Sequence, residues 1–398
     1  MKKAIIILTA LLLLGSLTAC GNRPGAVDKK TQGAEAFAEE PQRPAPEKKE
    51  EPLETSLSLV AFGDFMLHRP QIEGARVGDD FDFTPVFALY QKDIEERDLA
   101  MINLETTLTD QKTYTTYPVF RSPEEVARDL SKVGFDVLNT ANNHAYDGGQ
   151  FGLEYTLDKI REAGMGAIGT TEVGFPVIYE SNGILLGLIS YTYGLNGFES
   201  SMAASDSPYV VSLLTEENIE RDVSILKEDG VDAIVAFVHW GEEYHQPITA
   251  QQEHYAQFFH DQGVDLILGS HPHIPQTQGV IVGERPTYIA YSMGNFYTNQ
   301  RPEEMGRKNV DMGLATYATF TKKGEVTEVT EFNTEAFHLD RYYGEDGRRR
   351  YVAVPAARVL EGAMSYERTE EIRGKLEGAH REYLQFFNPD ALLEGADQ

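Results

Sequence analysis

The chain has 398 residues, 41% of them hydrophobic, enough for a large buried core and for two or three domains, or one large α/β domain with appendages. Its formal net charge of −28 argues against nucleic acid, whose binding needs Lys and Arg to displace counterions, and against adsorption to anionic lipid by charge alone. The single cysteine, Cys20, excludes an internal disulfide and a cysteine-rich metal site.

At the N-terminus, Lys2 and Lys3 precede an apolar run, Ala4 to Leu14, and then Leu17-Thr18-Ala19-Cys20. The pattern resembles a bacterial lipoprotein signal. Residues 1–19 would be removed, Cys20 would carry lipid, and the protein would be extracytoplasmic and anchored to the membrane. The competing reading is an ordinary secretory signal in which Cys20 is incidental. Residues 20–55 are rich in Pro, Glu, Lys and Ala, which cannot bury enough apolar surface to fold and should form an extended tether.

From Ser56 the pattern changes. The run LSLVAFG reads as a strand ending in a turn at Gly63-Asp64. Asp93 to Leu99 reads as a helix and Leu99 to Leu104 as a strand. Pro123 to Val133 reads as a helix, with Ser122 as its cap and Glu124 and Glu125 at its positive end. Phe135 to Thr140 is strand-like and Leu153 to Ala163 helical, closing at Gly164. Val177–Tyr179 and Ile184–Thr192 make a hairpin around Ser181-Asn182-Gly183. Helices over Thr215–Asp229 and Thr249–Gln262 alternate with strands over Val231–His239 and Val264–Leu268. Pro286 to Met293 is a further strand, and Leu314–Thr321 with Val326–Phe332 a second hairpin. Strands alternating with helices indicate an α/β core. Residues 344–398 turn charged and read as a helical extension, in which Thr369–Phe387 puts Ile372, Leu376, Ala379, Tyr383 and Phe387 near one face for packing on the domain.

Five segments share one form, an apolar strand ending in polar residues able to bind metal: Gly63-Asp64, Asn103-Leu104-Glu105, Asn142-Asn143-His144, His239-Trp240-Gly241 and Gly269-Ser270-His271-Pro272-His273. Strand ends of α/β sheets are where ligands sit. Mixed carboxylate and imidazole donors suit Mn, Zn or Fe better than Ca or Mg, and such metals activate water and clamp phosphoryl groups. Each segment alone has a plainer explanation: Asp64 as a turn cap, Glu105 as a surface carboxylate, His239 as a core histidine. Pro272 should hold His271 extended. Five polar ends after five apolar strands are hard to explain as separate turns.

The set GDFMLHR, NLETTLT, FRSPEE, NTANNHAYDGGQFGLEYTLDKIREAGMGAIGT, VHWGEEYHQPITAQQ, GSHPHIPQ and YSMGNF resembles the CapA family, the poly-γ-glutamate capsule-synthesis proteins, related to calcineurin-like metallophosphoesterases. The resemblance runs from about Leu57 to about Asp340 and implies a four-layer α/β/β/α sandwich over residues 56–343. It implies one or two divalent transition metals held by Asp64, Glu105, Asn143, His239, His271 and His273, with Glu105 in the bridging place and His144 as the acid for the leaving group. Arg69, Arg121 and Glu243 are the expected substrate contacts, and Asp147 and Asn295 the residues that orient the ligands. Two departures stand out: Met66 occupies the position of a histidine in the phosphoesterases, with His68 two residues on, and Glu105 replaces an aspartate. They leave room for one metal, or for one tight and one weak. The implied function is capsule or poly-γ-glutamate formation or export, acting on an anionic polymer or phosphoester. It would be carried out by a hydrolase or by a binding subunit beside a membrane synthase or export complex; a solute-binding lipoprotein is the least favoured reading.

Overall fold

The computed structural model describes residues 54–172 and 176–387. Cys20, the leader and nearly all of the tether lie outside the described residues; Glu54 and Thr55, the tether's last two, already belong to a strand. The chain starts a first sheet with β1 (Glu54–Phe65), β2 (Leu99–Leu104), β3 (Val137–Asn139) and β4 (Gly166–Ile168), each parallel to the one before. Between them run α1 (Arg69–Ala75), α2 (Gln91–Glu96), α3 (Glu125–Val133) and α4 (Gly149–Glu162). A second sheet follows: β5 (Val177–Ser181), β6 (Ile184–Thr192), β7 (Ala233–His239), β8 (Leu266–Ser270), β9 (Gln278–Ile281) and β10 (Thr287–Ala290), in the order β5-β6-β7-β8-β10-β9. Its crossovers include α5 (Glu216–Glu228) and α6 (Ala250–Asp261). The chain returns to the first sheet with β11 (Asn295–Tyr297), parallel to β1, and antiparallel β12 (Met312–Lys323), β13 (Val326–Tyr343) and β14 (Arg349–Pro355). It continues through α7 (Ala356–Leu360) and α8 (Thr369–Glu382).

The period of two in β1 sets the layers. Leu57, Leu59 and Ala61 point one way and meet Leu186, Leu188, Val235, Phe237, Leu266 and Leu268 of the second sheet. Val60 and Phe62 point the other way, against Val126 and Leu130 of α3 and Ile160 of α4. Ile234, Ala236 and Val238 of β7 meet Ile219 and Val223 of α5 and Phe259 of α6. The fold is therefore a four-layer α/β/β/α sandwich. Strands buried on both faces read as unbroken apolar runs, as LVAF and AIVAFV do. Each Leu, Val or Phe so buried contributes roughly 1.5–3 kcal/mol.

Several boundaries differ from expectation for local reasons. Ser122 and Pro123 do not open α3; they lie in a short strand, Arg121–Pro123, where the Ser122 hydroxyl bonds Thr106 Oγ1 at 2.8 Å. The first hairpin turns on Asn182 and Gly183 alone, both at positive φ (54° and 76°), a mirror-image turn that matches strand twist. The expected helical extension after 343 contains a strand, β14, whose charged start, Arg349-Arg350, hides the pattern. Ile372, Leu376 and Ala379 of α8 do pack on the domain, beside Val352 and Val354 of β14.

His338 of β13 is a buried histidine with a pH consequence. Its Nδ1 lies 3.8 Å from Asp311 Oδ2, and its Nε2 has no hydrogen-bond partner among the described residues. Burial, aided by the Lys375 and Arg301 charges, lowers its pKa from 6.5 to about 3. The unfolded chain therefore binds a proton that the folded chain refuses between these values. The stability involved is fully present above pH 6.5 and falls by about 1.4 kcal/mol per unit as pH drops toward 3. Urea unfolding of His338→Gln should track wild type at pH 7 and gain on it by about 3 kcal/mol at pH 4. Parallel curves for the two proteins would show that His338 takes no part.

Candidate metal centre

Strand ends from both sheets meet at one pole. β1 supplies Asp64, the residue after β2 is Glu105, and the segment after β3 supplies Asn142, Asn143 and His144. In the second sheet β7 ends on His239, and the exit of β8 carries His271 and His273. Two glycines let the segment from Tyr291 to Asn295 bridge these ends. A Cβ on Gly63 would lie 2.0 Å from the Gly294 carbonyl oxygen, and one on Gly269 would lie 2.0 Å from that of Tyr291. The bridge is held by Asp64 N–H to Gly294 O at 3.0 Å and Met293 N–H to Gly269 O at 2.9 Å.

The expected ligand residues converge. Asp64, Glu105 and His239 have no exposed surface, and Asn143, His271 and His273 are 2–3% exposed. Around His239 Nε2 lie Asn143 Oδ1 at 3.0 Å, His271 Nδ1 at 3.1 Å and Glu105 Oε1 at 3.6 Å. His273 Nδ1 is 3.0 Å from Asp64 Oδ2, and its Nε2 is 3.8 Å from Glu105 Oε1. Two triads of metal-capable atoms result, Glu105–His239–His271 and Asp64–Glu105–His273, with Glu105 common to both; Glu243 forms a third with His271 and His273. His271 does not take the extended form expected before Pro272. Its φ is +99° and that of His273 is +59°, left-handed conformations whose strain concentrates at functional sites.

Electrostatics mark the cluster as unfinished without a cation. Both carboxylate oxygens of Glu105 are buried with no hydrogen-bond partner among the described residues. Burial, with the charges of Asp64 and Glu243, pushes Glu105 well above the usual carboxylate range. Burial and the neighbouring histidines hold His239 and His271 well below the usual imidazole value. The donor set fits a divalent ion. Ligands at about 2.0–2.2 Å from a Zn-like centre lie about 3–3.5 Å from each other, the spacing found around His239 Nε2.

His144 stands apart from all three triads. Its Nδ1–H donates to Asp147 Oδ2 at 2.7 Å, and its ring meets the edge of Phe120 with centroids 4.7 Å apart. Asp147 Oδ2 also accepts Phe120 N–H at 2.5 Å, so one carboxylate fixes both ring and loop. Arg121 donates to the Asp147 carbonyl at 3.2 and 3.3 Å, which ties it to the same loop. Asn295 lies opposite Asp64 in the β1–β11 ladder and donates to His273 O at 2.9 Å. Glu243 is exposed beside His271 and His273, and Arg69 is exposed at the first position of α1. Met66 is buried and engages neighbours through its backbone, while His68 caps α1 and reaches Asn299 N at 3.5 Å.

Some supporting residues have no role in the sequence reading. Asn103 Nδ2 donates to Asp64 Oδ1 at 2.8 Å, Asn139 and Asn142 donate to Asn103 Oδ1, and Ser190 of the second sheet bonds Asn139. Ser270 Oγ is 2.9 Å from His239 Nδ1, and the Tyr193 ring lies 4.5 Å from that of His271. Strand-end polarity is a signal for Asn103, Asn139 and Ser270. Nothing local marks Ser190 or Tyr193, whose places depend on sheet-to-sheet packing.

Residues 58–300 match the family described as bacterial capsule synthesis protein PGA_cap. The chain is 29% identical over 258 residues to the capsule biosynthesis protein CapA of Bacillus anthracis, covering 61% of this chain and 60% of that one. It is 29% identical over 252 residues to the PGA biosynthesis protein CapA of Bacillus subtilis, covering 61% and 64%. It thus spans less than two thirds of the length of these relatives. Among solved structures, the calcineurin-like phosphoesterase YfkN from Bacillus subtilis is similar at 14% identity and a TM-score of 0.41, covering 84% of this chain and 99% of that one. A Mycoplasma pneumoniae phosphatase is similar at 14% identity and a TM-score of 0.40, covering 79% and 99%. With the family model matched across more than half of the chain, this protein belongs to the bacterial capsule synthesis protein PGA_cap family.

Proposed function

We propose that this chain is an extracytoplasmic lipoprotein of capsule formation whose buried centre hydrolyses a phosphoester or related bond in an anionic polymer or its precursor. The observation that carries this reading is Glu105, a buried carboxylate with two unpartnered oxygens inside a ring of histidines and a second carboxylate. Glu105, His239, His271 and Asn143 would hold one divalent transition metal, and Asp64, Glu105 and His273 a second. When bound, such metals supply Lewis-acid polarisation and a source of nucleophile at neutral pH. Asn103 and Ser270 keep Asp64 and His239 turned toward the centre. Asp147 would hold one proton on His144 Nδ1, so that a ring carrying a second proton on Nε2 would pass that one to the leaving oxygen and return to the neutral form. Arg69, Arg121 and Glu243 line the approach as substrate contacts.

Met66 favours one rival. It brings no nitrogen to the second set, so the same pocket could serve to bind polymer ends in an assembly with membrane synthase or export subunits. Metal analysis of the purified protein, joined to a screen of phosphodiesters and γ-glutamyl substrates, separates the two. Bound Mn, Zn or Fe with hydrolysis lost on chelation is the expected result. A metal-replete protein that cleaves none of them would establish the assembly role instead. Cys20→Ser should release the protein from membranes, and unchanged membrane association would remove the lipoprotein part of the reading.

A further inference from the structure

The loop after β11 gathers a second group of cations, away from the triads. Asn299 Oδ1 accepts from Arg341 Nη1 at 3.2 Å, Arg349 Nη1 at 2.8 Å and the Tyr351 hydroxyl at 2.7 Å. One amide oxygen thus draws two guanidinium groups together, although their charges repel. Arg301 joins them. Its guanidinium lies 5.7 Å from the centre of the Tyr351 ring and within electrostatic reach of Arg341. Arg301 is 1% exposed; its Nη1 donates to Gln300 O at 2.7 Å, and its Nη2 has no hydrogen-bond partner among the described residues. Burial lowers its pKa only to about 10, so it keeps its charge at neutral pH.

Acids stand near this group, Asp311 and Glu303 acting on Arg301 and Glu304 on all three arginines, but none of them hydrogen-bonds Arg301 Nη2. Arg341 meets Glu304 at 2.8 Å and Glu303 at 3.6 Å, both on a short exposed helix, Pro302–Met305. The contacts of Arg349 are neutral: Asn299 Oδ1 and the hydroxyl and ring of Tyr343. A donor left unused on a buried guanidinium is costly unless an acceptor meets it. In a chain of net charge −28, two arginines on one amide oxygen with a third close by are a local exception.

We propose that Arg301, Arg341 and Arg349 form an oxyanion pocket, with Arg301 and Tyr351 as its floor, that takes a carboxylate or phosphate group. Guanidinium forks match both groups in shape and charge. The pocket adjoins the metal centre through His68, which is reached by Asn299 N–H on one side and feels the charges of His273 and His144 as well as that of Arg301. A ligand with anionic groups at intervals could place one at the metals and another here. That extension rests on the functional reading above; the pocket itself does not.

The test is calorimetric titration of the full chain with inorganic phosphate and, separately, with a glutamate oligomer at low salt. Each titration is run on metal-loaded protein and on protein stripped with chelator. Stripped wild type should bind at least one of the two, and the arm that binds identifies the oxyanion. Arg349→Gln and Arg341→Gln should weaken that binding about ten- to a hundredfold without changing metal content. Should Arg349→Gln melt well below wild type, Arg349→Lys, which keeps the charge and loses the fork, carries the same expectation. His271→Ala should lose metal and leave the binding of stripped protein unchanged, so the two readings fail separately. No saturable binding to stripped wild type, or equal affinity in wild type and the arginine variants, would overturn the pocket.

Discussion

If the proposed hydrolysis holds, His144→Ala is expected to lower phosphoester turnover about 10²–10⁴-fold while bound metal and melting temperature stay near wild type. The reason is where the side chain sits. His144 belongs to none of the triads, and its Nδ1 is already committed to Asp147. Removing the ring opens space beside Phe120 but takes nothing from the ligands. His271→Ala should behave in the opposite way, since His271 belongs to two of the three triads. Its loss should lower metal content first and turnover only in consequence. Kinetics with saturating added metal tell the two apart: excess metal should rescue part of the His271→Ala activity and none of the His144→Ala activity. Equal metal loss in both variants would make His144 a ligand.

The second large effect has opposite signs in two conditions. In chelator, Glu105→Gln should melt higher than wild type; with saturating metal it should melt lower. Stripped of cations, wild type must bury a carboxylate whose oxygens have no partner, near Asp64 and Glu243. Without a cation the group must either stay charged or take up a proton there, and both cost folding free energy that the amide avoids. With metal present the order reverses. A ligand bound at a thousandfold excess over its Kd adds about 4 kcal/mol, and the variant forfeits much of this because Glu105 belongs to both metal triads. Melting curves with and without chelator measure both signs. Curves that chelator leaves unchanged in both proteins would show that Glu105 is not part of a metal site.

The parts of this molecule legible in its sequence are those set by local period and by strand ends. Leu57 to Phe62 announces a strand buried on both faces, and the helices at 216–228 and 250–261 follow from their threonine caps and apolar spacing. Asp64, Glu105, Asn143, His239, His271 and His273 all follow apolar strands, so listing strand ends collects them before any fold is known. What escapes is non-local. β14 is the exception, a local hairpin partner of β13 that is hidden because its first residues are arginines. Ser190 supports Asn139 only because the two sheets face each other, and a run such as ILLGLISYT carries no mark of that. His271 misleads for a different reason: a proline after it favours extension, and the demands of the cluster override that preference.

β1 is both the strand that carries Asp64 and the first described element of the chain. Glu54 and Asp64 lie at its two ends, roughly 33 Å apart at the rise of an extended strand. Whatever precedes residue 54 therefore joins the domain at the pole opposite the metal centre, and the centre faces away from that attachment. The same strand is bonded along its length to β12 on one side and, over its second half, to β2 on the other. A pull on the preceding chain would load β1 along its axis, in shear, so many ladder hydrogen bonds must yield together rather than one after another. Mechanical tension on the leading segment would thus load these two ladders before it disturbed the residues of the candidate centre.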